Sequence, residues 1–320
     1  MPKEFREKID ALPELLTYQK RIYDFMHFDK KDMNMEEVVK KYFEASGDIL
    51  PFILKEVEAS TMSSLTVYRV RRVQEGDFFD NRLVRSFSYP DPSFMDKNGR
   101  ANLKGTSVFY CADNWETAIR EMEPKVGDKL FVSKWIIKTD RAVLMRAFLP
   151  HKSIPKESHI YEFAKKHFEE FQEWNKKNCA GKEEHTEYLN ELIVEQFGFE
   201  QYPYHFSSWI ANTLMYEHNG IDLLMYPSWK TQFIGCNYAI HPNFVDQYMS
   251  LEVVYEILVK EFIKVNPGSE EKNSMKWTYG AMGIVDRTNI QWKWPSEQDA
   301  SMFVKNKGDN YDVSITPLKK

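Results

Sequence analysis

At Leu65 the apolar residues of this chain change their spacing, and a chain that switches period in this way must build both helices and strands. Before that point Leu12, Leu15, Leu16 and Ile22, then Val38, Val39 and Phe43, recur at helical intervals. Ser46-Gly47 stops the second of these helices, and Asp48 is placed to cap a third that ends near Ser60. From Leu65 the run LTVYRVR has the β-branched and aromatic texture of a short strand. The expected class is α+β, with a mixed or antiparallel β core behind an N-terminal helical extension of residues 1–60.

The rest of the chain continues to alternate. A polar loop runs through Ser86 to Gly105, where SYPDP and NGR are turn formers, and TSVFYCA then resumes as a strand. Asp113 as N-cap, with Glu116 three residues on, makes a capping box for a short helix from Trp115 to Met122. KLFVSKWIIK and AVLMRAF read as strands. Two helices, striped by Tyr161, Ala164, Phe168 and Phe171 and then by Tyr188, Leu192 and Val194, form a helical insertion at about 155–197. Ser207 to His218 is a further helix, ended by Gly220, and IDLLMYPS and CNYAIHP are strands. Residues 251–265 fit either period. Residues 61–265 thus form the segment expected to carry chemistry, and 266–320, with KWTYG and NIQWKWPS, a strand-rich C-terminal extension.

Composition excludes several classes. With 43 Lys+Arg against 48 Asp+Glu the chain lacks the basic excess of a general nucleic-acid binder. No apolar run approaches the roughly 18 residues of a membrane span. The start, MPKEFREKIDALPELL, lacks the pattern of a signal peptide, so a cytoplasmic location is expected. Cys111, Cys179 and Cys236 form no C-x-x-C pair and read as reduced, buried and structural. His151, His159 and His167 recur at a spacing that scatters them around a helix, so they read as solvated surface and no metal site is assigned.

The stretch GRANLKGTSVFYCADNWETAIREM, residues 99–122, resembles the signature of RES-domain proteins: a G-R-x-N-x-x-G loop, a strand ending in Tyr, then A-x-x-E. VYRV at 67–70 resembles the family's first strand with its Arg, GIDLLMYPS at 220–228 its Y-P-S segment, SSWIANTL the helix before that Ser, and CNYAI the strand after it. The resemblance covers roughly 62–250. It departs from the usual G-G-R-W-N loop at Asn98 and Ala101, and family members are usually shorter.

That resemblance implies an ADP-ribosyltransferase-like fold and an NAD-consuming toxin of a toxin-antitoxin pair, with an Xre-type antitoxin as partner. It carries the family's catalytic Arg, Glu and Ser onto Arg69, Glu121 and Ser228, with Tyr110 as a fourth pocket residue. Gly99, Arg100, Asn102 and Tyr68 are the further positions expected to bind the dinucleotide. NAD is the implied substrate, and no metal is implied.

The residue types suit that chemistry. A guanidinium such as Arg69 grips phosphate oxygens bidentately, which Lys does not reproduce. Gly-bearing loop amides allow close backbone approach to a diphosphate. Cleaving the nicotinamide-ribose bond builds positive charge on the ribose, which a carboxylate such as Glu121 stabilises. Tyr110 can stack on nicotinamide, and Ser228 can bond the ribose or carboxamide. Glu123, which with Glu121 resembles the paired acids of arginine-specific ADP-ribosyltransferases, reads as surface. Tyr204, Ser207 and Ser208 are candidate lining residues, although Trp209 and Ile210 beside them suit ordinary packing. The alternatives are ADP-ribosyl transfer to a macromolecule, and a non-catalytic nucleotide- or partner-binding module.

Overall fold

Residues 249–265, whose apolar positions fit two periods, form one strand because neighbouring strands take both of its edges. The computed structural model describes residues 3–30, 33–51, 55–73, 79–200, 202–218, 220–265 and 272–293. Its helices are α1 (Lys3–Asp10), α2 (Leu15–His27), α3 (Met35–Ser46), α4 (Ala59–Met62), α5 (Trp115–Glu121), α6 (Tyr161–Asn178), α7 (Glu183–Phe199), α8 (His205–Asn212) and α9 (Pro242–Tyr248). Its strands are β1 (Lys55–Val57), β2 (Thr66–Arg72), β3 (Phe109–Ala112), β4 (Lys129–Ile137), β5 (Val143–Ala147), β6 (Leu223–Pro227), β7 (Cys236–Ile240), β8 (Met249–Val265), β9 (Lys272–Asp286) and β10 (Asn289–Lys293). The chain is α+β, as its two periods require. The end of the expected C-terminal extension, from 294 on, lies outside the described residues.

Two units emerge from the contacts. The first gathers the described residues of 1–59, 90–109 and 140–244. Its strands run β1-β5-β6-β7: β1 is antiparallel to β5, β5 parallel to β6 (Met145↔Leu223) and β6 antiparallel to β7 (Leu223↔Ile240). Every residue of β6 and β7 is buried, which explains their nearly continuous apolar runs. The N-terminal helices belong to this unit through their side chains. Phe25, Tyr42 and Phe206 meet at centroid distances of 5.0 to 5.7 Å, and Trp209 packs on Tyr42 at 5.6 Å. The first helices therefore pack onto α7 and α8 through one aromatic core.

The second unit gathers 60–89, 110–139 and the described residues from 245 on. Its strands run β3-β2-β4-β8-β9-β10, all antiparallel. Helix α5 lies on one face of this sheet. Its Ala118 and Ile119 join Val70, Ala112, Leu130, Val132, Ile257 and Val259 in a buried cluster.

Three expectations are corrected. Among the described residues no helix starts at Asp48: that residue has φ of 59°, a left-handed conformation, and Lys55–Val57 pairs with β5 as strand β1, with only the short α4 reaching past Ser60. The N-cap of α5 is Asn114, whose side chain accepts from Thr117 N at 2.8 Å; Asp113 instead accepts from Asn114 Nδ2. His151 and His159 precede α6, and His167 on that helix is only 6% exposed, so it is a core residue and not solvated surface. All three cysteines are buried and no disulfide joins them. Among the described residues no helix is long and apolar enough to cross a membrane.

Candidate functional site

Arg69, Tyr110 and Glu121 lie in the second unit, on β2, β3 and α5. Strand alternation assigns their faces. Tyr68 and Val70 pack toward α5 with Ala112, so Arg69 leaves β2 from the opposite face, whereas Tyr110, two residues before Ala112, shares the α5 face. Glu121 is the exposed last residue of α5. The structure thus places Tyr68, Tyr110 and Glu121 toward one side of the sheet and starts Arg69 from the other. The guanidinium returns to β3 through the backbone, where Arg69 Nη1 donates to Tyr110 O at 2.8 Å.

Burial is the largest influence on Arg69, pushing its pKa down to about 10, followed by Cys111 and Arg71. The group remains a cation at neutral pH. The same burial raises the Cys111 thiol, which stays protonated and is no nucleophile. Ser133, opposite Arg69 in register, donates its hydroxyl to Arg69 O at 2.9 Å and receives Trp135 Nε1 at 3.1 Å. The backbone beneath the guanidinium is thereby fixed.

Arg72 was not among the residues that sequence reasoning singled out. It emerges from the α5 face of β2, pairs through Nε with Asp128 at 3.0 Å, and donates through Nη2 to the carbonyls of Met122 and, at 2.9 Å, Glu123. It therefore holds the two residues that follow Glu121, and sets where α5 ends. The signal was the alternation in VYRVRR, which puts Arg72 on the same face as Val70.

Gly99, Arg100, Asn102 and Ser228 lie in the first unit. Gly99 and Asn102 bond each other's backbones, Gly99 N to Asn102 O at 2.9 Å and Asn102 N to Gly99 O at 3.4 Å. The Asn102 side chain is buried and donates to Leu103 O and Thr106 O, bracing the loop from inside. Arg100 Nη1 donates to Phe197 O at 2.6 Å, in the last turn of α7, and its guanidinium lies 5.0 Å from the Tyr204 ring centroid. A cation there is also favoured by the carbonyl end of the helix. Ser228 is fully buried after β6, its amide bonded to Gly235 O at 2.9 Å and its carbonyl to Phe233 N at 2.9 Å. Ser207 and Ser208 are buried too.

A guanidinium on β2, a tyrosine on β3 and a glutamate at the end of α5 occur here in one chain order. Residues 66–155 match the family model for the RES domain. Over that span, well under half of its length, the chain is similar to RES-domain proteins. The match takes in Arg69, Gly99, Arg100, Asn102, Tyr110 and Glu121; Ser228 lies beyond it. No curated protein matches the chain. The RES domain is compatible with an enzyme acting on NAD, and its span holds every element from β2 to β5.

Proposed function

We propose that this protein cleaves the bond between nicotinamide and ribose in NAD+. The observation that carries the reading is the contact of Arg69 with Tyr110 inside the RES-matched span, with Glu121 on the face of Tyr110. In the reaction the nicotinamide nitrogen leaves with the electron pair of the glycosidic bond and becomes neutral. The ribose becomes oxocarbenium-like and is captured by a water or phosphate oxygen, and capture by water releases one proton.

Glu121 stabilises the developing ribose charge, the step in which a preorganised carboxylate has its largest effect. Tyr110 offers its ring to nicotinamide. Arg69 supplies positive charge for the diphosphate. An enzyme of this kind harms the cell that makes it, so the proposal includes an inhibitory partner of the Xre antitoxin type.

Purified protein incubated with NAD+ should release nicotinamide. Chromatography then separates ADP-ribose, the product of water, from ADP-ribose 1″-phosphate, the product of phosphate. No nicotinamide with either acceptor would overturn the reading.

A further inference from the structure

Glu121 is the last residue of α5, the place where a helix is least able to hold its own geometry. Met122 is the cap, and the two amides that follow Glu121 turn back tightly: Met122 N to Ile119 O and Glu123 N to Arg120 O, both at 3.1 Å. Helices commonly stop on a glycine in the left-handed region. Here Glu123 takes that conformation, with φ of 43°, at a steric cost that a residue with a Cβ must bear. The chain beyond Glu121 therefore needs a hold from outside the helix. Arg72 supplies it, its Nη2 donating to both Met122 O and Glu123 O.

The arginine is itself fixed. Asp128 Oδ2 lies 3.0 Å from Arg72 Nε and also accepts from Lys125 N at 2.7 Å, so one carboxylate oxygen braces both the guanidinium and the turn after α5. Each partner's side chain is only 21% exposed, which shields the pair from water and salt. The turn is stitched to β8 as well, by Gly127 N to Val259 O at 2.8 Å and Val259 N to Asp128 O at 3.0 Å. Lys129 pairs with Glu256 of β8 at 3.1 Å. At the other end of α5 the Asn114 cap and the buried Ala118 and Ile119 secure the first turns without Arg72. Its hold is thus confined to the end that carries Glu121.

We propose that Arg72 is the positioning residue for the Glu121 carboxylate in nicotinamide-ribose cleavage. This rests on the cleavage reading above and deepens it by naming what fixes the carboxylate in place. A carboxylate that stabilises a developing ribose cation must be set before the charge appears, and an error of about 1 Å costs up to about 10²-fold in rate. Arg72 touches no substrate in this scheme. It acts through the backbone of Met122 and Glu123, and Asp128 acts through Arg72. Lysine is no replacement, because it has no Nε to meet Asp128 while its tip meets the two carbonyls. Strand β2 then serves both charges of the proposed site: Arg69 leaves one face as the cation, and Arg72 on the other holds the carboxylate's helix end.

Kinetics and hydrogen exchange on the full chain test the assignment together. Arg72→Lys should lower kcat for nicotinamide release by about 10- to 100-fold and change KM for NAD+ by less than about 3-fold. In a Glu121→Gln background the same substitution should cost less than about 2-fold, since it acts through the carboxylate already removed. Exchange at the Met122 and Glu123 amides should quicken by about 5- to 30-fold in Arg72→Lys, while the Ala118 amide, bonded to Asn114 O, changes by less than about 2-fold. Asp128→Asn keeps the arginine and should shift each readout in the same direction by less, which preserves the test if Arg72→Lys does not fold. Losses that add in the double variant, or a raised KM with kcat kept, would overturn the positioning role. Equal exchange at Met122 and Glu123 in parent and variant would overturn it whatever the turnover. A parent that shows the exchange contrast but releases no nicotinamide would overturn the cleavage reading and leave Arg72 as the hold on the end of α5.

Discussion

Arg69 Nη1 donates to the carbonyl of Tyr110 at 2.8 Å, so the cation of β2 and the tyrosine of β3 are positioned by one bond. Lysine keeps the charge but not the planar fork that reaches Tyr110 O. Arg69→Lys should lower kcat/KM for nicotinamide release about 10- to 100-fold while costing about 1–2 kcal/mol of stability. Initial rates and urea midpoints measure the two effects. Parent-like turnover in Arg69→Lys would remove the fork from the account.

The cap of α5 offers a second test. Asn114→Ala removes the acceptor for Thr117 N and should destabilise the protein by about 1 kcal/mol. Asp113→Ala leaves that bond in place and should cost less. Because α5 ends at Glu121, Asn114→Ala should also reduce nicotinamide release. Urea denaturation of the two variants side by side decides whether the cap sits at 114.

His167 predicts acid sensitivity. Burial, then the charges of Arg146 and Lys55, depress its pKa from 6.5 to about 3. Glu170 lies 4.0 Å from its Nδ1 but is engaged by Lys55 Nζ at 3.0 Å, so it does not reverse the shift. The native ring is neutral at pH values where the unfolded ring is protonated. The unfolded state therefore binds the extra proton, and stability is full above about pH 6.5 and falls as pH drops toward 3, by up to ~1.4 kcal/mol per pH unit. The His167→Gln variant should show a shallower loss between pH 6 and pH 4 than the parent. Identical slopes would contradict a neutral buried ring.

Gly47 closes α3 with φ of 72°, and a Cβ there would stand 2.8 Å from Leu12 Cδ2. Gly47→Ala combines left-handed strain with that contact and should cost about 1–2 kcal/mol. A shift in thermal midpoint of the whole first unit, rather than loss of α3 signal alone, is expected because Tyr42 of α3 packs on Phe206 of α8.

What could be read from the sequence was what neighbours in the chain determine. The strand at LTVYRVR, the helix after Asp113 and the stop at Gly47 each depend on residues within a few positions. Residues 251–265 could not be settled, since their strand is fixed by β4 and β9 and not by their own period. The same reason moved Lys55–Val57 from helix to strand: its partner, β5, lies far along the chain. At the site, the order of Arg69, Tyr110 and Glu121 was legible. The burial of Asn102 was not, and neither were the hold of Arg100 on Phe197 and the meeting of Phe199 with Trp229, whose partners lie 30 or more residues away and leave no local pattern.

Glu121 tests the central claim most directly. Nicotinamide release from NAD+ should be compared for the parent and Glu121→Gln, which removes the charge and keeps the size. The account predicts a loss of about 10²- to 10³-fold in kcat with the fold intact by circular dichroism. Equal rates in the two proteins would contradict it.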